Sequence, residues 1–171
     1  MEIAHESMPK PQFMLSTETY NIITQVLKEL ERSTRADLII FCESNGVAVT
    51  YAGNPDILNL AGFSSLNAAN YAATREMANM LGEKNAFKFL FLEGDSNNIY
   101  ICNIGYDFLL SITFSKAVAL GMVRIYANKA VNQLKKILEK AKQNEARITE
   151  KVLDDEFGAL LDEALDASFK I

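Results

Sequence analysis

The sequence predicts an α+β domain, with a five-stranded, mostly antiparallel sheet between helices and a C-terminal amphipathic tail helix. Three observations lead there. Asn45-Gly46 lies between two β-rich runs, which is the signature of a tight hairpin. Three further β-rich runs follow one another between Phe87 and Phe114, with turn residues between them. Helical periodicity marks the stretches before, between and after these strands. With 171 residues, 49% of them hydrophobic and 23% charged, the chain suffices for one domain with a substantial core plus tails.

Residues 1–15 hold two of the three prolines and the only histidine, His5, and are expected to form a flexible leader. The domain is expected over 16–141, a polar linker over 142–148 and an acidic amphipathic helix over 149–171. Ser16 or Thr17 can cap a first helix, with Glu18 near its positive end. Tyr20, Ile23, Leu27 and Leu30 then mark one face, as far as about Ser33. Leu38–Cys42 and Val47–Tyr51 flank the Asn-Gly turn. Leu38–Cys42 is apolar on both alternations, so both faces of the sheet must be covered there. Gly53-Asn54-Pro55-Asp56 ends the second strand.

Phe63–Gly82 reads as one long helix rich in small residues: Ser64, Ser65, Ala68, Ala69, Ala72, Ala73 and Ala78. Leu66, Ala73, Met77 and Met80 are expected to face inward. Ser65, Ala69, Ala72 and Glu76 fall on a second, nearly side-chain-free face. That face suits either tight core packing or the docking of another helix or protein. After Gly82 come the runs Phe87–Leu92, Ile99–Ile104 and Phe108–Phe114. The first carries Phe87, Phe89 and Phe91 on one side and follows a long helix, so it can lie at a sheet edge. A long apolar edge strand invites aggregation unless paired, and a symmetric homodimer through this strand removes the problem. Ser115 is expected to cap the last body helix, with Leu120, Val123, Ala127, Val131, Leu134 and Leu138 at helical spacing.

Composition narrows the function. No apolar run approaches the roughly 20 residues needed to span a bilayer, and the first residues lack a secretory pattern. Cys42 and Cys102 lie in apolar strands and are expected to be free and buried, which points to the cytoplasm. Thr149–Ile171 carries seven acids against two lysines, hence the whole net charge of −5. A neutral body with an acidic tail argues against nucleic acid or anionic membrane as partner. The lone His5 leaves no Ser-His pair in the domain, and nothing matches a phosphate-binding glycine loop. Two cysteines and one histidine have no metal-ligand spacing. No catalytic residue, cofactor or metal is therefore expected, and the enzyme class is left with little support.

The tail gives a clearer signal. Phe157, Leu160, Leu161, Ala164, Leu165 and Phe169 form an apolar stripe, with Asp162, Glu163 and Asp166 off it. Such a helix needs a partner for its apolar face, either its own body or a groove on another protein.

The segment GFSSLNAANYAATREMANMLGEKNAFKFLFLEG, followed by NIYICNIGYDFLLSITF and SKAVALGMVRIYANKA, resembles the Roadblock domain. Within that family it is most similar to bacterial MglB proteins, whose short acidic C-terminal helix the tail also resembles. The similarity covers about residues 17–140 and the tail. It implies an α+β fold that dimerises through the middle helix and third strand. It also implies a homodimeric activator of a small Ras-like, MglA-type GTPase. Such an activator supplies no arginine finger but reorders the GTPase's own switch loops, while the terminal helix modulates affinity or exchange. The alternative is a non-catalytic scaffold for a GTPase or polarity complex. By the same resemblance, Ser65, Ala69 and Ala72 match the partner-facing stripe. Arg124 matches the arginine of the LGxVR run, and Lys129 matches a basic position beyond it. The chain departs from the family at Tyr126 and Asn128, where basic residues are usual, and in its Ala164–Ser168 run.

Overall fold

The computed structural model describes residues 14–168, with side chains over 14–149 and at 151 and 160. The chain divides into two units. The body is Thr17–Leu138; the other unit, among the described residues, comprises 14–16 and 139–168. The elements are α1 (Thr17–Thr34), β1 (Leu38–Glu43), β2 (Ala48–Gly53), a short 3-10 turn (Pro55–Ile57), α2 (Leu60–Met80), β3 (Phe89–Glu93), β4 (Asn97–Gly105), β5 (Phe108–Ser115) and α3 (Leu120–Ser168). Residues 142–148, expected as a polar linker, are helical within α3.

All strand pairings are antiparallel, in the order β2-β1-β5-β4-β3. Two tight turns account for much of this order. At the β1–β2 turn the Asn45 side chain accepts the Val47 N–H (3.0 Å), and Gly46 adopts φ +94°. Glycine is required there twice over, because a Cβ would also lie 2.6 Å from Ser65 Cα of α2. Between β4 and β5, Tyr106 and Asp107 both take positive φ, the geometry of a two-residue hairpin loop.

The sheet is covered on both faces. Leu38, Ile40, Cys42, Ile101 and Leu109 pack with Ala68 and Tyr71 of α2. The opposite face carries Ile39, Phe41, Tyr100, Leu110, Ile112 and Phe114, all buried. α1 lies over that face, its Thr24 hydroxyl 2.8 Å from that of Thr50 on β2. α3 lies beside α1, the two helices sharing a groove lined by residues such as Leu30 and Ala130. Ile23, Leu27 and Leu30 of α1 are buried, as are Val123, Ala127, Leu134 and Leu138 of α3. Tyr20 and Leu120, expected on these inward stripes, are exposed at their helix starts.

Two helix starts differ from expectation. α2 begins at Leu60, because Asn59 caps it by accepting the Gly62 N–H at 3.1 Å. α3 begins at Leu120 because Ser115 belongs to β5 and its carbonyl accepts the Val118 N–H in a turn.

Cys42 and Cys102 are free and buried on strands separated by β5. Burial pushes both thiols up from 9.0 to about 12, with the Glu43 carboxylate adding to the effect at Cys42. Burial also raises Tyr100 from 10.0 to about 12. A group whose ionisation is suppressed only in the folded state stabilises the fold below its unfolded pKa. That contribution is lost as pH rises toward the folded value. Urea unfolding should therefore show stability falling from about pH 9 toward pH 12. The double variant Cys42→Ala, Cys102→Ala should show a shallower fall.

Candidate functional site

The surface most in need of a partner is the outer side of α2. Its buried residues are Ser64, Asn67, Ala68, Tyr71 and Ala78, one stripe at helical spacing. Two polar members of that stripe have specific partners. Asn67 donates from Nδ2 to the Ser111 hydroxyl of β5 at 3.0 Å. The Tyr71 hydroxyl donates to the Phe87 carbonyl at 3.2 Å. Burial raises the Tyr71 pKa, opposed by its hydrogen bond to Asn103 and by the nearby Arg75 charge.

This corrects the expected inward stripe. Leu66, Ala73, Met77 and Met80 face solvent, with Leu66 at 66% and Met80 at 88% exposure. The helix turns Asn67 and Tyr71 inward because each finds a hydrogen-bond partner there, and the stripe containing the larger apolar side chains is left outside. Hydropathy alone cannot see this, since the polar residues are the ones inside. Leu81, just past the helix, is 72% exposed and extends the apolar surface.

Ser65, Ala69, Ala72 and Glu76 are all exposed on α2. Ser65 bonds back to the Ala61 carbonyl at 3.0 Å, and Glu76 accepts from Asn79 at 3.4 Å. Small residues here leave the helix backbone open to close approach by another surface. Arg124 and Lys129 lie elsewhere, on α3, across the sheet from α2. The Arg124 guanidinium sits 4.9 Å over the Phe89 ring, and Lys129 borders the groove between α1 and α3. The α2 stripe and the α3 basic residues therefore do not meet on one face of a single chain.

β3 is a sheet edge. Phe87, in the segment before it, and Phe89 and Phe91, within it, are half-buried. Phe89 stacks on Tyr100 with centroids 4.9 Å apart, and Phe91 stacks on Phe114 at 6.4 Å. Phe89 and Phe91 thus anchor β3 to its own sheet while part of each ring stays exposed at the edge. In the tail, Leu160 is exposed, and Phe157, Leu161, Ala164 and Leu165 belong to α3. Phe169 lies outside the described residues. Among the described residues no group of three or more His, Cys, Asp or Glu is placed to hold a metal ion, and no helix is long and apolar enough to cross a membrane.

The model of the Roadblock/LC7 domain matches residues 22–114, more than half of the chain. The chain belongs to the Roadblock/LC7 family. Among solved structures this Roadblock protein is similar to Myxococcus xanthus MglB, at 29% identity and TM-score 0.71, over 75% of this chain and 96% of that one. It is also similar to the gliding protein MglB of Thermus thermophilus, at 26% identity and TM-score 0.69, over 77% and 99%. An uncharacterized protein of Aquifex aeolicus (strain VF5) is 24% identical over 154 residues, 90% of this chain and 94% of its own.

Two adjacent alanines test the orientation of α2. Ala68 is buried and Ala69 exposed. Ala68→Arg forces a charge into the core and should cost more than about 4 kcal/mol, enough to unfold many domains. Ala69→Arg should stay within about 0.5 kcal/mol of the parent in urea denaturation. Equal losses from both would mean that the outer stripe is itself packed.

Proposed function

We propose that this Roadblock protein is a homodimeric activator of a small Ras-like GTPase of the MglA type. The observation that carries the reading is the outer side of α2, where small residues and exposed Leu66, Met77 and Met80 form one continuous face. The fold and its similarity to MglB structures support it. In this reading two copies pair through the β3 edge and α2, and the GTPase rests over the paired helices through Ser65, Ala69, Ala72 and Glu76. Hydrolysis accelerates because the dimer holds the GTPase's own switch loops in a competent arrangement, which is catalysis by positioning. No residue of this chain enters the reaction, and no cofactor or metal is needed on its side. The apolar stripe of the tail, from Phe157 to Phe169, takes a second contact and adjusts affinity or exchange.

The decisive experiment is single-turnover GTP hydrolysis by a partner GTPase encoded beside this protein. Adding the protein should accelerate hydrolysis. Ala69→Arg should weaken binding by roughly tenfold or more, the loss expected of a central interface position. Tight binding without acceleration, equal for GTP and GDP states, would make the protein a scaffold instead.

Removing 149–171 should leave the thermal transition of the body in place and change affinity or nucleotide exchange. A large fall in the transition temperature would show that the tail serves the fold instead.

A further inference from the structure

The body contains a cleft of about 640 Å³ at the start of β3, bordered by Phe87 and by Tyr71 of α2 but not by the Ser65, Ala69, Ala72 and Glu76 stripe. It arises from strands of unequal reach. β4 runs to Gly105, but β3 begins only at Phe89, which pairs with Cys102. Asn103–Gly105 therefore lack a neighbour on the β3 side. The chain before β3 stands off from them, tied by the Tyr71 hydrogen bond to the Phe87 carbonyl. α3 forms the facing wall. Asn128, Asn132 and Lys135, spaced by four and three residues, share the helical face that lines the cleft. All three are exposed and flank the buried stripe of Ala127, Val131 and Leu134.

The chemistry of the wall is one-sided. Lys88 and Lys135 bring two ammonium groups, and Asn85, Asn103, Asn128 and Asn132 bring four carboxamides. Among the described residues no Asp or Glu lines the cleft, although acids outnumber bases in the chain by 22 to 17. Asn103 is already fixed, its Oδ1 accepting the Gly105 N–H at 2.7 Å. The volume lies within the roughly 300–1,000 Å³ typical of small-molecule sites. Carboxamides both donate and accept, whereas ammonium groups only donate, so the cleft suits a polar body with an anionic end. Phosphate gathers a double charge and several acceptor oxygens on one group, whereas a dicarboxylate such as succinate spreads the same charge over two separated groups.

We propose that this cleft binds a small phosphorylated molecule, with Lys88 and Lys135 taking the phosphate and Asn128 and Asn132 the polar body. The proposal is independent of GTPase activation. Calorimetric titration of the full chain at low ionic strength tests it, with inorganic pyrophosphate, ATP and succinate as probes. Pyrophosphate or ATP should bind saturably. Lys88→Ala and Lys135→Ala should each weaken that binding about tenfold, as expected for loss of a charge-assisted hydrogen bond. Asn132→Leu should weaken ATP more than pyrophosphate, and succinate should bind least. Lys28→Ala, exposed on α1 and outside the cleft wall, should bind as the parent does. All four substituted positions are exposed, and circular dichroism checks that each variant is folded. Three results would each overturn the proposal: no saturable binding of either phosphate probe at millimolar concentration, an equal loss with Lys28→Ala, or succinate binding as tightly as pyrophosphate.

Discussion

The structure depends on one constraint: β1 and β5 are buried on both faces. Every residue from Leu38 to Cys42 and from Phe108 to Phe114 is buried, and none is charged. A sheet with such a centre must be covered on both sides. α1 and α3 share one side. Among the described helices α2 covers the other, and its composition suits that place. Ser64, Ala68 and Ala78 are small enough to bring the helix close, and the closeness shows where Gly46 meets Ser65 with no room for a Cβ. Leu66 and Met77 lie on the outer side of that helix, not beneath it. It seats Asn67 and Tyr71 instead, each with a hydrogen-bond partner on the sheet side. Burying them is tolerable because the bonds are made, and leaving either unpaired would cost about 1–3 kcal/mol.

The same constraint explains what was legible in the sequence. The five strands were, because β-rich runs bounded by Asn-Gly and Gly-rich turns depend on local chemistry. The edge position of β3 followed from its place after a long helix, and the free cysteines from their apolar neighbours. The family was legible from the small-residue helix and the LGMVR run. The orientation of α2 was not. Its apolar residues occupy one stripe and its buried residues another, since Asn67 is placed by Ser111, 44 positions away. No window along the chain contains that pair. The starts of α2 and α3 shifted for local reasons, an Asn59 cap and a turn at Ser115, that composition leaves ambiguous.

The outward stripe and the β3 edge raise the same physical demand. Leu66, Met77, Met80 and Leu81 leave large apolar side chains in water on one helix and its end. β3 has no charged residue before Glu93 to discourage pairing. One second copy, laid along both, would relieve both costs, and this is the physical basis for proposing a homodimer. Arg124 then has a purpose that needs no partner. Its guanidinium covers the Phe89 ring, and Phe89 stacks on Tyr100, so the arginine helps hold the edge strand flat against its sheet.

Tyr71 joins the two halves of this picture. Its ring packs in the α2-side core with Leu38, Ile40 and Ile101. Its hydroxyl reaches the Phe87 carbonyl just before β3, at the border of the phosphate cleft proposed here. The same residue, with Asn103 and Gly105, also lines a smaller recess of about 160 Å³ between α2 and the β4–β5 turn. That side chain therefore ties α2 to the segment that leads into β3. Where that segment stands off, β4 outruns its neighbour and the cleft opens; where it rejoins at Phe89, the edge strand begins. The edge follows from the strand order and the cleft from the reach of β4 past Phe89, and the inward tyrosine of α2 stands where the two meet.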